Sequence, residues 1–308
     1  MNLLHLKYAV EVEKTRSINK AAENLYMGQP NLSRAIKELE ESLHVKIFKR
    51  TSKGISLTPQ GEEFMQYAKR IIAQIDEVEA MYRSGSSDKQ TFSISVPRAS
   101  YISCAFTEFA GKLDSTVPAE LQYKETNAMR AVNNIMQFDY KLGILRYQPM
   151  FDHHFDGLMR EKGLSSRLIC EFSPVLILSK QHPLAQKEIV DASDLETYTE
   201  IAYPDPYIPS LSLLDAKKTE LTEGVQRRIF VFERGSQLDL LSHLQDTFSW
   251  GAAVPGQILK QYDLIQKRCS WNCKRYKDVL IYRKGYPLSS LDHEFLRALE
   301  RYKPMDAE

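Results

Sequence analysis

The chain has 308 residues, of which 43% are hydrophobic and 26% are charged, and its formal net charge at pH 7 is +1. This length exceeds the usual size of a single core, so we expect a small domain together with a larger one. The composition is typical of a soluble globular protein, and no apolar run is long enough to cross a membrane. Met1 leads into a charged, amphipathic segment without a signal peptide, so we expect a cytoplasmic protein whose four cysteines are reduced.

The first sixty residues predict two short helices joined by a tight turn. Ser17 is placed to cap a helix that begins at Ile18, because its hydroxyl can accept a free backbone N–H. Gly28 marks the turn, and Pro30 suits the first turn of the next helix. A buried stripe then recurs at helical spacing, formed by Leu32, Ala35, Ile36 and Leu39. Two helices arranged in this way present the second one to the DNA major groove.

Polar side chains surround the start of that second helix, on the faces that the apolar stripe leaves open. They are candidates to bond to bases or phosphates. The candidate residues are Gln29, Pro30, Asn31, Ser33, Arg34 and Lys37. The alternative interpretation is an ordinary helical hairpin with a solvated polar face.

A basic β-hairpin, or wing, is predicted to follow. The segments 45–50 and 55–58 read as strands, with a turn at 51–54 between them. Arg50 and Lys53 on this wing are placed to grip phosphates. Residues 1–60 hold ten basic and six acidic side chains, so their excess of four positive charges is local to this end of a near-neutral chain.

A long helix is predicted from Pro59, with Thr58 as its N-cap. Its apolar residues alternate at spacings of four and three, which is a heptad seam and favours packing against another helix. The seam consists of Phe64, Ala68, Ile71, Ile75, Val78 and Tyr82. We expect this helix to mediate dimerisation, the alternative being a helix that lies on its own domain. The small and polar residues at 84–89 then predict a domain boundary.

The order of these elements resembles the LysR-type transcriptional regulators. The match covers roughly the first sixty residues and includes the alanine-rich helix, the segment 29–34, the wing and the segment 57–61. Gly28 and Asn31 depart from the residues that the family more often has, Ser and Ala. The resemblance implies a winged helix-turn-helix at 1–58, a linker helix and hinge at 59–89, and an effector-binding domain at 90–308. It also implies a bacterial homotetramer that binds promoter DNA.

Strands alternate with helices from residue 91 onward, which argues for an α/β architecture with largely parallel sheets. The predicted strands are 92–96, 120–124, 142–145, 174–178, 200–203, 229–232 and 279–282, and the predicted helices include 99–112, 128–136 and 291–302. The family resemblance adds a split into two lobes, like that of a periplasmic binding protein. It places one lobe at about 91–166 and 270–308, and the other at about 167–269.

Polar groups that follow the predicted strands are candidates for ligand contact, because ligands of open α/β sheets lie beyond the carboxyl ends of strands. The family resemblance implies that these groups line the cleft between the lobes. The candidates are Ala99, Ser100, Tyr101, Thr126, Asn127, Arg146, Tyr203 and Ser236, which opens a predicted helix. Arg146 favours an anionic effector, because a guanidinium pairs with a carboxylate through two bonds. The alternative is that each serine or threonine merely caps its helix.

Other chemistry finds little support in the sequence. Cys269 and Cys273 are poorly spaced for structural zinc, so a regulatory disulfide or two plain thiols are the better interpretations. The adjacent pair His153–His154 reads as an exposed loop. P-loop, GxGxxG, HExxH and GxSxG motifs are all missing. We therefore expect no cofactor, no metal and no catalytic residue.

Three functional hypotheses follow. The first is a ligand-responsive transcription regulator. The family resemblance implies its mechanism: a small molecule closes the lobes and changes the shape of the tetramer, and with it the bend of the DNA and the access of RNA polymerase. The second is an enzyme domain fused to a DNA-binding head, which would need a reactive group in the cleft. The third is an architectural DNA-binding dimer without an effector, which would bind any sequence with similar affinity.

Overall fold

The computed structural model describes residues 2–51, 54–83 and 89–304. The chain divides into two compact units, Met1–Asp88 and Lys89–Glu308. The first unit contains α1 (Leu3–Thr15), α2 (Ile18–Asn24), α3 (Gln29–Leu43), β1 (Phe48–Thr51), β2 (Gly54–Leu57) and α4 (Pro59–Arg83).

The predicted helix pair is present as α2 and α3. Ser17 caps α2, since its side chain accepts the backbone N–H of Lys20 at 3.4 Å. Gly28 is the N-cap of α3 with a φ of −70°, which any residue adopts. The left-handed residue of the turn is instead Tyr26, with a φ of 49° and an almost fully exposed side chain. The predicted turn is therefore present, but Gly28 does not supply its left-handed backbone conformation.

A buried carboxylate joins α3 to the wing. Glu40 accepts the backbone N–H groups of Ile47 and Phe48 at 2.9 and 3.1 Å and an Nζ hydrogen of Lys46 at 2.7 Å. Burial by itself raises the pKa of Glu40, but these hydrogen bonds outweigh it and lower the pKa below its usual value. The two N–H groups are occupied by the carboxylate, so β1 begins at Phe48, three residues later than the sequence predicts.

The long helix α4 begins where the sequence places it. The Thr58 hydroxyl accepts the backbone N–H of Gly61 at 2.9 Å. Glycine is required at position 61, because a Cβ there would lie 2.1 Å from the carbonyl oxygen of Ile47. Met65 and Ala68 are buried in the core of the first unit, and the helix packs along α1.

The first half of the predicted heptad seam, with Phe64, Ala68 and Ile71, packs on the helix's own unit, which is the alternative to dimerisation given above for this part of the seam. The side chains of Val78 and Tyr82, in the second half, lie outside the described part of the structure. So does the predicted boundary at 84–89, except for Lys89.

The second unit alternates strands and helices. Its strands are β3 (Gln90–Val96), β4 (Ala119–Glu125), β5 (Leu142–Tyr147), β6 (Leu164–Phe172), β7 (Val175–Ser179), β8 (Thr199–Ala202), β9 (Arg227–Phe230), β10 (Thr247–Gly251), β11 (Leu264–Lys267) and β12 (Tyr276–Arg283). Its helices are α5 (Ser100–Ala110), α6 (Ala128–Gln137), α7 (Asp152–Glu161), α8 (Leu213–Glu220), α9 (Arg234–His243), α10 (Gly256–Gln261) and α11 (Ser290–Tyr302).

These strands form two five-stranded sheets, each the centre of one lobe. The first lobe has the order β4-β3-β5-β12-β6, and the second has β11-β7-β10-β8-β9. Both sheets are mixed: β12 runs antiparallel to β5 and β6, and β7 runs antiparallel to β10 and β11. The expectation of largely parallel sheets was therefore wrong, because strands that return between the lobes pair against their neighbours.

The first lobe extends further along the chain than the family resemblance implies. β6 pairs with β12 from Leu164 to Phe172, with a bulge at Ile169, so the sheet of the first lobe reaches residue 172 rather than about 166. Helices α5 and α11 pack together over this sheet around the rings of Phe92, Phe109 and Phe295. Among the helices that the structure describes, none has the length and apolar character needed to cross a bilayer.

Candidate functional site

The start of α3 presents a polar surface in the first unit. Gln29, Asn31 and Arg34 are exposed, and their side chains make no hydrogen bond or ion pair with the described residues. Pro30 is exposed beside them, while Ser33 is half-buried. These polar groups are therefore open to a ligand, on the end of the helix that enters the groove in helix-turn-helix proteins.

The remaining predicted DNA contacts lie farther along. Lys37 is exposed and 3.6 Å from Glu41, a weak surface pair. The backbone of Arg50 pairs with Ile55 in the wing, but its side chain lies outside the described part. Lys53 also lies outside the described residues.

A cavity of about 1090 Å³ lies between the two sheets of the second unit. Six of the eight predicted effector residues line it: Ala99, Ser100, Thr126, Asn127, Arg146 and Tyr203. They lie at or after the ends of β3, β4, β5 and β8. Residues that are distant along the chain therefore meet at one cavity, as expected for groups at the carboxyl ends of strands.

Two predicted residues do not line the cavity. Tyr101 is fully buried, and its hydroxyl donates to Asp278 at 2.5 Å. Ser236 is exposed on the third residue of α9, whose N-cap is Glu233, so it neither opens the helix nor faces the cleft. Gln237, the next residue, lines the cavity instead.

The beginning of α5 is built without a cap. Its N-cap is Ala99, which supplies no side-chain hydrogen bond, so the first N–H groups of an eleven-residue helix are left for another partner. Ser100 and Thr126 are 7% and 4% exposed, and neither hydroxyl has a hydrogen-bond partner among the described residues. Buried hydroxyls that line a cavity and lack partners are poised to bind a ligand. Asn127 differs, because its side chain caps α6 by accepting the N–H of Arg130 at 2.9 Å.

Arg146 already has an anionic partner. Its Nε and Nη2 groups donate to the two carboxylate oxygens of Asp278 at 2.8 and 2.6 Å. The guanidinium also stacks 4.7 Å from the ring centre of Phe172. Burial raises the pKa of Tyr101 far above its ordinary value, so this residue stays neutral and donates its proton to the same carboxylate.

The second-lobe wall carries a chain of hydrogen bonds that the sequence did not reveal. The Tyr203 hydroxyl donates to Gln237 at 2.7 Å, the Gln237 amide donates to Ser249 at 2.5 Å, and Ser249 donates to the carbonyl of Ile201 at 2.7 Å. A single glutamine on a helix gives no sign of this hydrogen-bond chain in the sequence, because its partners lie in other elements of the fold.

Arg98 and Asp205 also line the cavity and were missed by the sequence reasoning. Their side chains form a bidentate ion pair across the two lobes. The signal available was weak: Arg98 directly precedes the predicted group at Ala99, and Asp205 follows Tyr203 by two residues.

The cysteines and the histidine pair do not form a site. Cys269 is buried and Cys273 is exposed, and every cysteine is a free thiol. His153 and His154 are exposed, on α7 rather than in the predicted loop. Among the described residues, no group of three or more potential metal ligands comes together.

Comparisons with known proteins agree with this architecture. The profile of the bacterial regulatory helix-turn-helix protein, lysR family, matches residues 3–62. The HTH-type transcriptional regulator AlsR of Bacillus subtilis (strain 168) is 31% identical over 217 residues, which are 68% of this chain and 68% of AlsR. The HTH-type transcriptional regulator BenM of Acinetobacter baylyi (strain ADP1) is 38% identical over 94 residues, which are 30% of this chain and 31% of BenM.

The same likeness extends to a solved structure. Full-length CbnR complexed with its target DNA has a TM-score of 0.56 with this chain at 18% identity, with 98% of this chain and 100% of that chain covered. At this identity the likeness concerns the fold alone. The profile match at the N-terminal unit and the 31% identity to AlsR over 217 residues lead to one conclusion. This chain belongs to the LysR family of transcription regulators.

Proposed function

We propose that this protein regulates transcription in response to a small molecule that carries one carboxylate, bound in the cleft between the lobes. The observation that carries the proposal is the uncapped start of α5 beside two buried, unpartnered hydroxyls, those of Ser100 and Thr126. Helix N-termini favour negative charge, and hydroxyls donate to carboxylate oxygens. The exposed start of α3 binds promoter DNA, and the wing grips its backbone.

The arginines of the cleft are not open to a ligand's negative charge. Each of the four arginines that line the cavity is paired with a carboxylate: Arg98 with Asp205, Arg146 with Asp278, Arg228 with Glu200 and Arg234 with Glu125. A ligand that bound to these arginines would have to displace buried carboxylates, at a large desolvation cost. A single carboxylate at α5, with an apolar body against Ile177 and Val254, needs no such exchange.

Further parts of the proposal rest on the family. We infer a homodimer and then a homotetramer, with the second half of α4 in the contact between copies, and an influence on RNA polymerase at the promoter. We place the protein in the cytoplasm. We also infer that the cleft does no chemistry: its described lining contains no histidine, and the Ser249 hydroxyl is bound to a backbone carbonyl.

The ligand half of the proposal is tested by calorimetry on the full chain. Acetate, propanoate and benzoate are titrated beside the corresponding neutral amides. We expect a carboxylate to bind and its amide not to bind. Ser100→Ala should weaken the binding at least about tenfold, because a hydrogen bond to a charged group contributes about 1.5–3 kcal/mol. Ser236→Ala is the matched control, since this serine lies outside the cavity lining. Equal losses in both variants, or equal binding of acid and amide, would contradict the assignment.

The DNA half is tested by fluorescence anisotropy. The probe is DNA from just upstream of the protein's own gene, with scrambled DNA of equal length as control, at two salt concentrations. A preference for the natural sequence that survives higher salt is expected. Addition of the bound carboxylate should change the affinity for this probe, because binding and conformation are thermodynamically linked. Equal affinity for both DNAs would favour an architectural role.

A further inference from the structure

One ion pair ties the two lobes together at the mouth of the cleft. Arg98 follows β3 in the first lobe, and Asp205 follows β8 in the second. The two guanidinium nitrogens Nη1 and Nη2 donate to the carboxylate oxygens at 2.9 and 3.3 Å. The side chains are 8% and 10% exposed, so this pair is shielded from water and salt.

Further contacts fasten the same two residues. The Nε group of Arg98 donates to the carbonyl oxygen of Phe232 at 2.7 Å, and its guanidinium lies 4.6 Å from the centre of the Tyr203 ring. Asp205 receives a second cation, Arg130, at 2.8 Å, and its backbone carbonyl accepts the Asn127 amide at 2.9 Å. Three first-lobe side chains thus hold one second-lobe residue.

Three other cross-lobe hydrogen bonds accompany this pair. Arg234 of the second lobe donates to Glu125 of the first at 2.9 Å. Glu220 at the end of α8 accepts from Gln148 at 3.0 Å and from the Tyr276 hydroxyl at 2.5 Å. At these points the lobes are joined through charged and polar groups, which can separate into water at lower cost than apolar contacts.

The cross-lobe residues and the proposed ligand groups are neighbours along the chain. Arg98 precedes Ser100 by two residues, and Asn127 directly follows Thr126. Each first-lobe loop therefore carries one hydroxyl that faces the cavity and one side chain that holds Asp205. A ligand that repositions either hydroxyl also moves the residue that contacts the opposite lobe.

We propose that Arg98, Asn127 and Asp205 form a clamp that holds the cleft closed and couples its occupancy to the arrangement of the lobes. This inference deepens the proposed function and rests on it for the identity of the ligand. Removal of the Asp205 charge leaves Arg98 and Arg130 of the first lobe without their second-lobe counter-charge, so the electrostatic attraction that holds the lobes together is lost.

Both tryptophans of the chain, Trp250 and Trp271, line the cavity, so the intrinsic fluorescence reports on the cleft. The test measures quenching of this fluorescence by acrylamide in the full chain. We expect Asp205→Asn to increase the quenching constant at least twofold at a temperature where circular dichroism shows an intact fold. Arg301→Gln is the control, because it breaks an arginine–carboxylate pair with Glu108 inside the first lobe.

A milder variant keeps the test informative if Asp205→Asn does not fold. Asn127→Ser retains an acceptor that can cap α6 but loses the amide donor to Asp205, so it should increase quenching by a smaller factor. Quenching constants equal to those of the unmodified chain in both variants would overturn the clamp. This measurement uses neither carboxylate nor DNA. If quenching rises as expected in the variants but calorimetry shows that the protein binds no carboxylate, the proposed function is contradicted and the clamp is not.

Discussion

Arg146 and Asp278 form a bidentate ion pair, and Asp278 has no exposed surface. The sequence made Arg146 the candidate for an anionic ligand, because an arginine after a strand suits a carboxylate. The structure supplies that carboxylate from β12, the strand paired with β5, at a distance of 132 residues along the chain. Arg146 therefore belongs to a buried ion pair of the first lobe, so another group must bind the ligand's negative charge.

Asp278→Asn should lower the free energy of unfolding by about 3 kcal/mol, since breaking one side of a buried pair leaves an uncompensated charge. Urea unfolding of the full chain measures it. Asp239→Asn, an exposed position on α9, is the control and should change stability by less than about 0.5 kcal/mol. A double variant, Asp278→Asn with Arg146→Met, should recover part of the loss. Equal stabilities of the single and double variants would contradict the role of the unpaired charge.

Local patterns sufficed to predict most elements. Ser17, Pro30 and Thr58 begin helices where capping chemistry places them, and the two strands of the wing were found within three residues. Strands β6, β10 and β11 were not predicted. Their partners are distant in sequence, and their side chains lack the continuous apolar run of β7. The burial of half of the α4 seam was missed because it depends on how α1 folds back.

The cleft likewise contains residues that local patterns predict and residues that they do not. Ser100 and Thr126 were predicted because the end of a strand is visible in the sequence and fixes which residues reach the cavity. The pairing of Arg98 with Asp205 was not predictable. It depends on how two sheets approach each other, and no local pattern records that approach. Tyr101 was predicted to contact the ligand because it follows a strand, but its side chain is buried in the core.

Arg34→Ala should cost about 1–3 kcal/mol in binding to the specific site if this guanidinium reads a base edge. The reason is its exposed place near the start of α3, where it has no partner among the described residues. Anisotropy with natural and scrambled DNA measures the effect. Arg160→Ala, which removes an exposed arginine of α7, is the control. A loss that is the same for both DNAs would mean that Arg34 touches only phosphate.

Glu40→Gln should loosen the wing and lower the stability of the first unit by about 2 kcal/mol, because it replaces a carboxylate that accepts three hydrogen bonds. The pKa of Glu40 is lowered in the folded chain, so its contribution is present above its usual pKa of 4.5 and is lost as the pH falls through the folded value. Hydrogen exchange of residues 47–57 measures the loosening. Glu41→Gln, at an exposed position, should leave this exchange unchanged.

His182→Asn should alter how stability depends on pH. His182 is buried in the second lobe, its Nδ1 accepts the N–H of Leu184 at 3.0 Å, and its Nε2 has no partner among the described residues. Burial lowers the pKa of His182 from 6.5 to about 4, and the nearby Asp246 opposes this shift only in part.

The sign follows from proton binding. Between pH 6.5 and about 4 the unfolded chain binds a proton at this histidine that the folded chain does not, so the histidine lowers stability as the pH falls through this window. Asparagine keeps an acceptor for the N–H of Leu184 and does not titrate. The variant should therefore lose less stability than the unmodified chain between pH 7 and pH 4.5 in urea unfolding. His154→Asn, at an exposed position, should follow the unmodified chain. Parallel curves for all three proteins would show that the buried histidine does not control this dependence.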